Sequence, residues 1–501
     1  MGDTMTSLLS GLSLATEPVP LVFTIIGTIL GLFFGAVPGL NATLAMILIL
    51  PITYGMSPQG GFSFLMGAYV GGITGGLVSA IMIGIPGTAA SIVTTLDGYP
   101  MAKKGEAGRA LGLASVSSFY GGLFSWFAMI LLTPQLSKFA LEIGPFEYTA
   151  IILFGFTIIT GMASENLSKS LLMAAIGLMI PAIGLDPLHG VQRLTFGIDA
   201  LDTGFGLIPV LTGAYVVSRA LEEAENLKEQ YICKPGKLIN VFPQLWRVWK
   251  HWLTVLQSSV IGILIGILPG IGASVAPFIS YDQARKRSKN PNNFGQGEPE
   301  GVIASETCNN ATIGGALIPG LALGIPGDVP VVILLSGLML HGFQPGPLFF
   351  SQHQSMAIST YFSFFIANLF MIIFLLTVGI KIFTRIMSIP KIYLIPVIFI
   401  AGLLGAYNVA YSMVDVWISV FAGLFAYFAI KAGYPLTPLI ISIILGPMFE
   451  SNLRVALTVS KGSILPLFTQ PISLVFIVLT ILSLIMIVRR NIKKKQAGFA
   501  I

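Results

Sequence analysis

Four Pro-Gly interruptions lie inside otherwise apolar sequence, and polar side chains come directly after each of them. Pro38-Gly39 leads to Asn41 and Thr43, and Pro86-Gly87 leads to Thr88 and Ser91. Pro269-Gly270 leads to Ser274, and Pro326-Gly327 leads to Asp328. A helix broken within a membrane presents free N–H groups and a positive dipole end, which suit an anionic group. Its unwound carbonyls can coordinate Na+. A polar run, Asn309, Asn310 and Thr312, adds amides that can meet an anion or a cation. Asp97, Glu306 and Asp328 are carboxylates within or beside apolar stretches. An acid at that depth costs about 3 kcal/mol on insertion scales and marks an ion or proton path by default. Each residue also has a plainer reading. The hydroxyls could back-bond to the preceding helical turn, the Asn run and Asp328 could be helix caps, and Asp97 in LDGYP could be a turn residue.

The elements that must hold these groups are membrane helices. Of 501 residues, 54% are hydrophobic and only 10% are charged, with a mean hydropathy of +0.87. A soluble domain carries about 25% charged residues, so a soluble enzyme, a nucleic-acid binder and a disordered scaffold are excluded. The net charge of +6 is met by the positive-inside rule rather than by nucleic acid. Cys233 and Cys308 have no motif spacing, and the four histidines are scattered, so no disulfide framework, metal site or cofactor is expected. The first twenty residues lack a basic n-region and a small-residue cleavage site, and read as a retained segment.

With about 20 apolar residues per span, the chain reads as an all-α polytopic membrane protein with about twelve crossings between residues 20 and 488. The expected organisation is an N-terminal segment (1–19), a first transmembrane repeat (20–220), a hydrophilic linker with an interfacial helix (221–252), a second repeat (253–488) and a basic cytoplasmic tail (489–501). Lys103, Lys104 and Arg109, the basic stretch 285–289 and the tail would all face the cytoplasm. If both flanks of 250–285 are cytoplasmic, that segment must enter and return, as a re-entrant helical hairpin turning at Pro269-Gly270. Such irregular backbone is tolerated only where it lines protein or a cavity.

The halves repeat. GLFFGAVPGLNATLA at 31–45 aligns with GILIGILPGIGASVA 231 residues later, and GIPG occurs at 84–87 and 324–327. Paired interruptions in corresponding places of two halves point to a transporter binding site, and inverted halves are expected. Kinks and packing contacts are the alternative.

GAVPGLNATLAMILILPITYGMSP (35–58), GIPGTAASIVTTLDGYPMAKKGEAGRALG (84–112), GILPGIGASVAP (266–277) and the long stretch 297–347 resemble the TctA family, the large membrane subunit of tripartite tricarboxylate transporters. The resemblance runs over about residues 20 to 450. It implies a multi-pass permease of the bacterial inner membrane that takes up di- or tricarboxylates. It further implies a small membrane subunit, a periplasmic substrate-binding protein, and secondary coupling to Na+ or H+. No P-loop is present in the sequence. The chain departs from the family pattern at Asn41, at 304–310 and at Asp328, which bears on substrate identity and ion ligands.

On this reading the carboxylate and the cation would meet Pro38, Gly39, Asn41, Thr43, Gly87, Thr88, Ser91, Asp97, Pro269, Gly270, Ser274, Glu306, Asn309, Asn310, Thr312, Gly327 and Asp328. The only metal would be a transported Na+. The rivals are a channel or facilitator without coupling, and a membrane-embedded enzyme. The isolated histidines and the lack of paired acids on one helix motif speak against the enzyme.

Overall fold

The computed structural model describes residues 2–162, 167–186, 190–225, 244–269, 272–386 and 391–498. These residues are overwhelmingly helical. The exception is a two-stranded antiparallel ribbon, Gly184–Leu185 paired with Gln192–Arg193. Seven helices among them are long and apolar enough to cross a membrane, and five shorter apolar helices accompany them. The chain is therefore a multi-pass membrane protein. It divides into two compact units. One comprises residues 1–137, 219–268 and 272–405, and the other comprises 138–218, 269–271 and 406–501.

The first unit contains every described helix that flanks the four breaks. The helices of this unit, in chain order, begin with α1 (Gly2–Thr16), α2 (Pro18–Ala36), α3 (Ala42–Thr53), α4 (Pro58–Ile83) and α5 (Ile92–Met101). They continue as α6 (Ala107–Leu141), α7 (Trp252–Gly266), α8 (Gly272–Arg287), α9 (Pro299–Leu323), α10 (Val329–Leu340) and α11 (Gln354–Phe374). The first and third breaks fall between α2 and α3 and between α7 and α8. The two GIPG motifs fall between α4 and α5 and between α9 and α10.

Glycine decides how these helices pack. On α2, Gly27, Gly31 and Gly35 share one face at four-residue spacing, as do Gly67, Gly71 and Gly75 on α4. A Cβ at Gly27 would run into the Phe64 carbonyl, one at Gly31 into that of Ala68, and one at Gly35 into that of Gly72. The partner positions rise together, so α2 and α4 are parallel and in backbone contact, as small-residue faces allow in membranes. α3 must then run back between them. Ala42 lies against Gly72, and Thr53 against Gly61.

The second half does the same with other residues. Gly262 lies against Cys308 and Ala311, and Gly266 against Thr312 and Gly315, so α7 and α9 are parallel. α8 doubles back along α7. Ser280 donates to Ser258 at 2.8 Å, and Arg287 reaches Thr254 at 2.7 Å. α7 and α8 are thus antiparallel neighbours, as a helical hairpin requires.

Directions across the halves come from similar pairs. Asp328 meets Tyr69 while His341 lies by Gly61, so α10 is antiparallel to α4. Thr94 meets Glu306 while Asp97 lies by Gly301, so α5 is antiparallel to α9. Both α4 and α9 are buried along most of their length, Gly60–Ile81 and Gly301–Ala322. A buried apolar core of Leu32, Leu77, Ile81, Leu111, Val255, Val302 and Met371 joins α2, α4, α6, α7, α9 and α11, with Phe383 of the helix Ile380–Ile386 packed into it. α11 is pinned to α6 where Asn368 donates to the Phe119 carbonyl and Trp126 to that of Tyr361.

The second unit holds the helices Pro145–Met162, Leu167–Met179, Met413–Lys431, Leu436–Val459 and Pro471–Gly498. Asp186, Arg193, Glu450 and Arg454 form an ion-pair network there. Arg454 binds Asp186 with both carboxylate oxygens near 3 Å and Glu450 at 2.6 Å, and Arg193 binds the same Glu450 at 2.5 Å. Gly213 and Gly423 bring the 212–217 segment and Met413–Lys431 into close contact.

Candidate functional site

Each GIPG motif ends a buried helix in the same way. Gly84 and Gly324 adopt left-handed conformations, φ 70° and 73°, that close α4 and α9. Such a C-cap favours a residue without Cβ. The chain then dips back so that the last glycine of each motif rests on a preceding helix end. A Cβ at Gly87 would strike the Gly35 carbonyl, and one at Gly327 would lie 2.7 Å from that of Gly266. Thus each GIPG turn is seated on the end of the broken helix of its own half.

The polar residues beyond both turns gather on α4. Thr88 and Ser91 lie over Gly76, where a Cβ would approach their hydroxyls to 2.8 and 3.0 Å. Asp328 accepts a 2.6 Å hydrogen bond from Tyr69. Tyr69 and Gly76 are seven residues apart, which is about 10 Å along a helix. Between them, the Thr74 hydroxyl accepts from Asn310 Nδ2 at 2.7 Å. Both GIPG breaks and Asn310 therefore converge on two turns of α4.

The polar run is not a cap. α9 begins at Pro299, so Asn309, Asn310 and Thr312 sit mid-helix and fully buried. Asn310 Oδ1 and Thr307 Oγ1 have no hydrogen-bond partner. The Asn309 amide stands beside Glu306, yet neither of its polar atoms completes a hydrogen bond. Leaving such groups unmet costs about 1–3 kcal/mol each. This is a cluster with vacant donors and acceptors. Thr312 is the contrary case: its hydroxyl donates to the Asn309 carbonyl at 2.6 Å. Glu306 is completely buried one turn away. Its oxygens accept from Thr94 at 2.5 Å and Ser118 at 2.9 Å.

The remaining expected residues have clear placements. Asn41 caps α3 by accepting from the Leu44 amide at 2.9 Å, with Thr43 half-buried in the first turn. Asp328 likewise caps α10 through the Val331 amide at 3.0 Å. Thr88 and Ser91 close their own turn with three mutual hydrogen bonds. Pro38 is buried and Gly39 has φ 93°, its carbonyl taking a 2.6 Å hydrogen bond from Arg219 Nε. Pro269 is buried, Ser274 is exposed, and Gly270 lies outside the described residues. Asp97 is in α5, far from any turn. One oxygen accepts from the backbone amides of Gly295, Gly297 and Glu298 at 2.8–2.9 Å, and the other accepts from Tyr281 at 2.7 Å. Its acceptors are committed to ordering the 288–298 loop.

Sequence reasoning passed over Tyr69, Thr74, Thr94, Ser118, Tyr281 and Arg219. The first four sit in apolar runs or short turns with no local signal. Arg219, whose second partner is Glu223 at 2.6 Å, marked itself as a charge ending an apolar stretch. Among the described residues, no group of three His, Cys, Asp or Glu side chains could hold a metal ion.

The family model described as "Tripartite tricarboxylate transporter TctA family" matches residues 21–441, which include every one of these groups. This chain belongs to the TctA family. Two relatives from Agrobacterium vitis are similar to it, one over nearly its full length and one over about half. An uncharacterized 52.8 kDa protein in the TAR-I ttuC' 3' region is 31% identical over 99% of this chain and 98% of its own length. An uncharacterized protein in the TAR-II ttuC' 3' region is 32% identical over 47% of this chain and 97% of its own length. No solved structure matches. As a TctA chain, the protein belongs to a family of tripartite transporter components.

Proposed function

We propose that this TctA chain is the large permease subunit of a binding-protein-dependent transporter that takes up an organic di- or tricarboxylate across the bacterial inner membrane. The observation that carries the reading is the convergence of both GIPG breaks on Tyr69–Gly76 of α4, opposite the unmet polar atoms of Asn309 and Asn310. The carboxylate is held by amide donors and by the helix N-terminus at Thr88–Ser91, and among the described residues no fixed cation traps it there. The coupling ion, Na+ or H+, uses Glu306 and its hydroxyl neighbours Thr94 and Ser118. Two inverted halves supply alternating access: the antiparallel pairing of α4 with α10 and of α5 with α9 supports that symmetry. A small membrane subunit and a periplasmic binding protein complete the system.

The test is uptake into proteoliposomes containing both partner subunits. An imposed Na+ or proton gradient should drive accumulation above equilibrium, and Asn310→Ala should reduce it about tenfold, in line with one lost polar contact. Equilibration without accumulation would assign the chain to the channel class. Failure to take up any carboxylate would sink the reading.

A further inference from the structure

A second site lies away from the breaks, at the end of the first unit where its basic residues gather. A cavity of about 460 Å³ is lined by Arg109, Arg247, Lys250 and His251, with Glu298 and Pro299 at the start of α9 on its far wall. Arg109 is anchored through one nitrogen to Glu106 at 2.7 Å, while its Nε is buried without a partner. Arg247 and Lys250 are exposed and make no ion pair among the described residues. Arg109, Arg247 and Lys250 thus line one cavity with Glu298, and of the three only Arg109 has an ion-pair partner, Glu106, among the described residues. The two exposed cations, Arg247 and Lys250, call for an oxygen acceptor from outside the chain.

The surroundings say which kind of acceptor. The helix Gln244–Trp249 is fixed by Val248, fully buried in the core, and by the Trp249 ring, 5.6 Å from Tyr120. It leaves Trp246, Trp249 and Trp252 exposed at 71%, 45% and 49%. Exposed Trp beside Arg and Lys is the composition of the membrane headgroup layer. The same end carries Lys103, Lys104 and the basic stretch 285–289, joined where Lys104 donates to the Gln296 carbonyl at 2.6 Å. Basic pockets on the cytoplasmic side bind anionic head groups.

We propose that this cavity binds a phosphate group, supplied by the head group of an anionic phospholipid. Arg109 and Arg247 take the phosphate oxygens, Lys250 adds charge, and the three Trp side chains border the acyl chains. The proposal does not depend on which solute is carried.

The experiment uses the full chain purified in detergent. Native mass spectrometry measures retention of phosphatidylglycerol and of phosphatidylcholine by the wild type, by the double variant Arg247→Gln/Lys250→Gln and by the charge-preserving Arg247→Lys/Lys250→Arg. Selective retention of phosphatidylglycerol should fall about tenfold in the first variant, from loss of two surface cations, and persist in the second. Thermal stabilisation by inorganic phosphate alone, equal to that by phosphatidylglycerol and lost in the Gln variant, would keep the phosphate chemistry and assign its source to the soluble ion. Equal lipid retention by wild type and Gln variant would overturn the proposal. So would competition by citrate in the absence of any effect of phosphate.

Discussion

The Tyr69 hydroxyl donates to Asp328 Oδ2 at 2.6 Å, across 259 positions of sequence. That bond fastens the first turn of α10, which Asp328 also caps, to the middle of α4. A cap and a tie in one side chain can be separated by substitution. Asp328→Asn keeps a good cap, whereas Tyr69→Phe removes only the tie. A double-mutant cycle on thermal unfolding in detergent should give a coupling of about 1–3 kcal/mol. A coupling indistinguishable from zero would mean that the two helices are held by packing alone.

Glu306 is expected to govern coupling rather than folding. Glu306→Gln preserves shape, keeps an acceptor for one of Thr94 and Ser118, and donates its amide N–H to the other hydroxyl. Gradient-driven accumulation should drop about tenfold or more, as for an essential intramembrane acid, while exchange of substrate at equal ion concentrations continues. Glu306→Ala should also lower folded yield, because two buried hydroxyls lose their acceptor. Wild-type accumulation by the Gln variant would make the carboxylate a structural group.

The glycine faces give a stability prediction with an internal control. A methyl at Gly71 meets the Thr28 carbonyl, and one at Gly31 meets that of Ala68. Gly71→Ala or Gly31→Ala should therefore destabilise by about 1–3 kcal/mol, the usual cost of overpacking. Gly55 has nothing within 4 Å of a Cβ, so Gly55→Ala should leave the melting temperature unchanged. Equal effects at all three positions would refute the backbone-contact account.

Asp97 should act on a loop almost two hundred residues away. Asp97→Ala strips the acceptor from three amides and from Tyr281. Trypsin cleavage between Arg285 and Lys289 should become about tenfold faster or more, the effect of losing one such interaction or several. Unchanged proteolysis would show that Phe294, packed on Tyr281, suffices to hold the loop.

The breaks are legible in the sequence because Pro and Gly inside apolar stretches have few other uses, and their recurrence in register gives them partners. The hairpin at Pro269 comes from counting charges on its two flanks. Asp97 is harder to read: its environment is built by Tyr281 and by three backbone amides, none of them local. The Asn pair reads as near a helix start because Glu298–Glu306 looks hydrophilic, but the helix begins at Pro299 and is buried from Gly301 onward. Burial there comes from α6, α7 and α8, so no local pattern could announce it. The facing glycines at 27, 31, 35 and 67, 71, 75 are visible as a four-residue period, although the period alone does not say which helix lies opposite.

Because α4 presents no surface to lipid between Gly60 and Ile81, it cannot complete its insertion as an independent helix. Its parallel neighbour α2 is made first and must wait while α3 threads back through the bilayer. The order of synthesis therefore sets an assembly problem: α2, α3 and α4 have to leave the insertion machinery as a set. A chain ending just after residue 57 would leave an α2 whose glycine face has no α4 to meet.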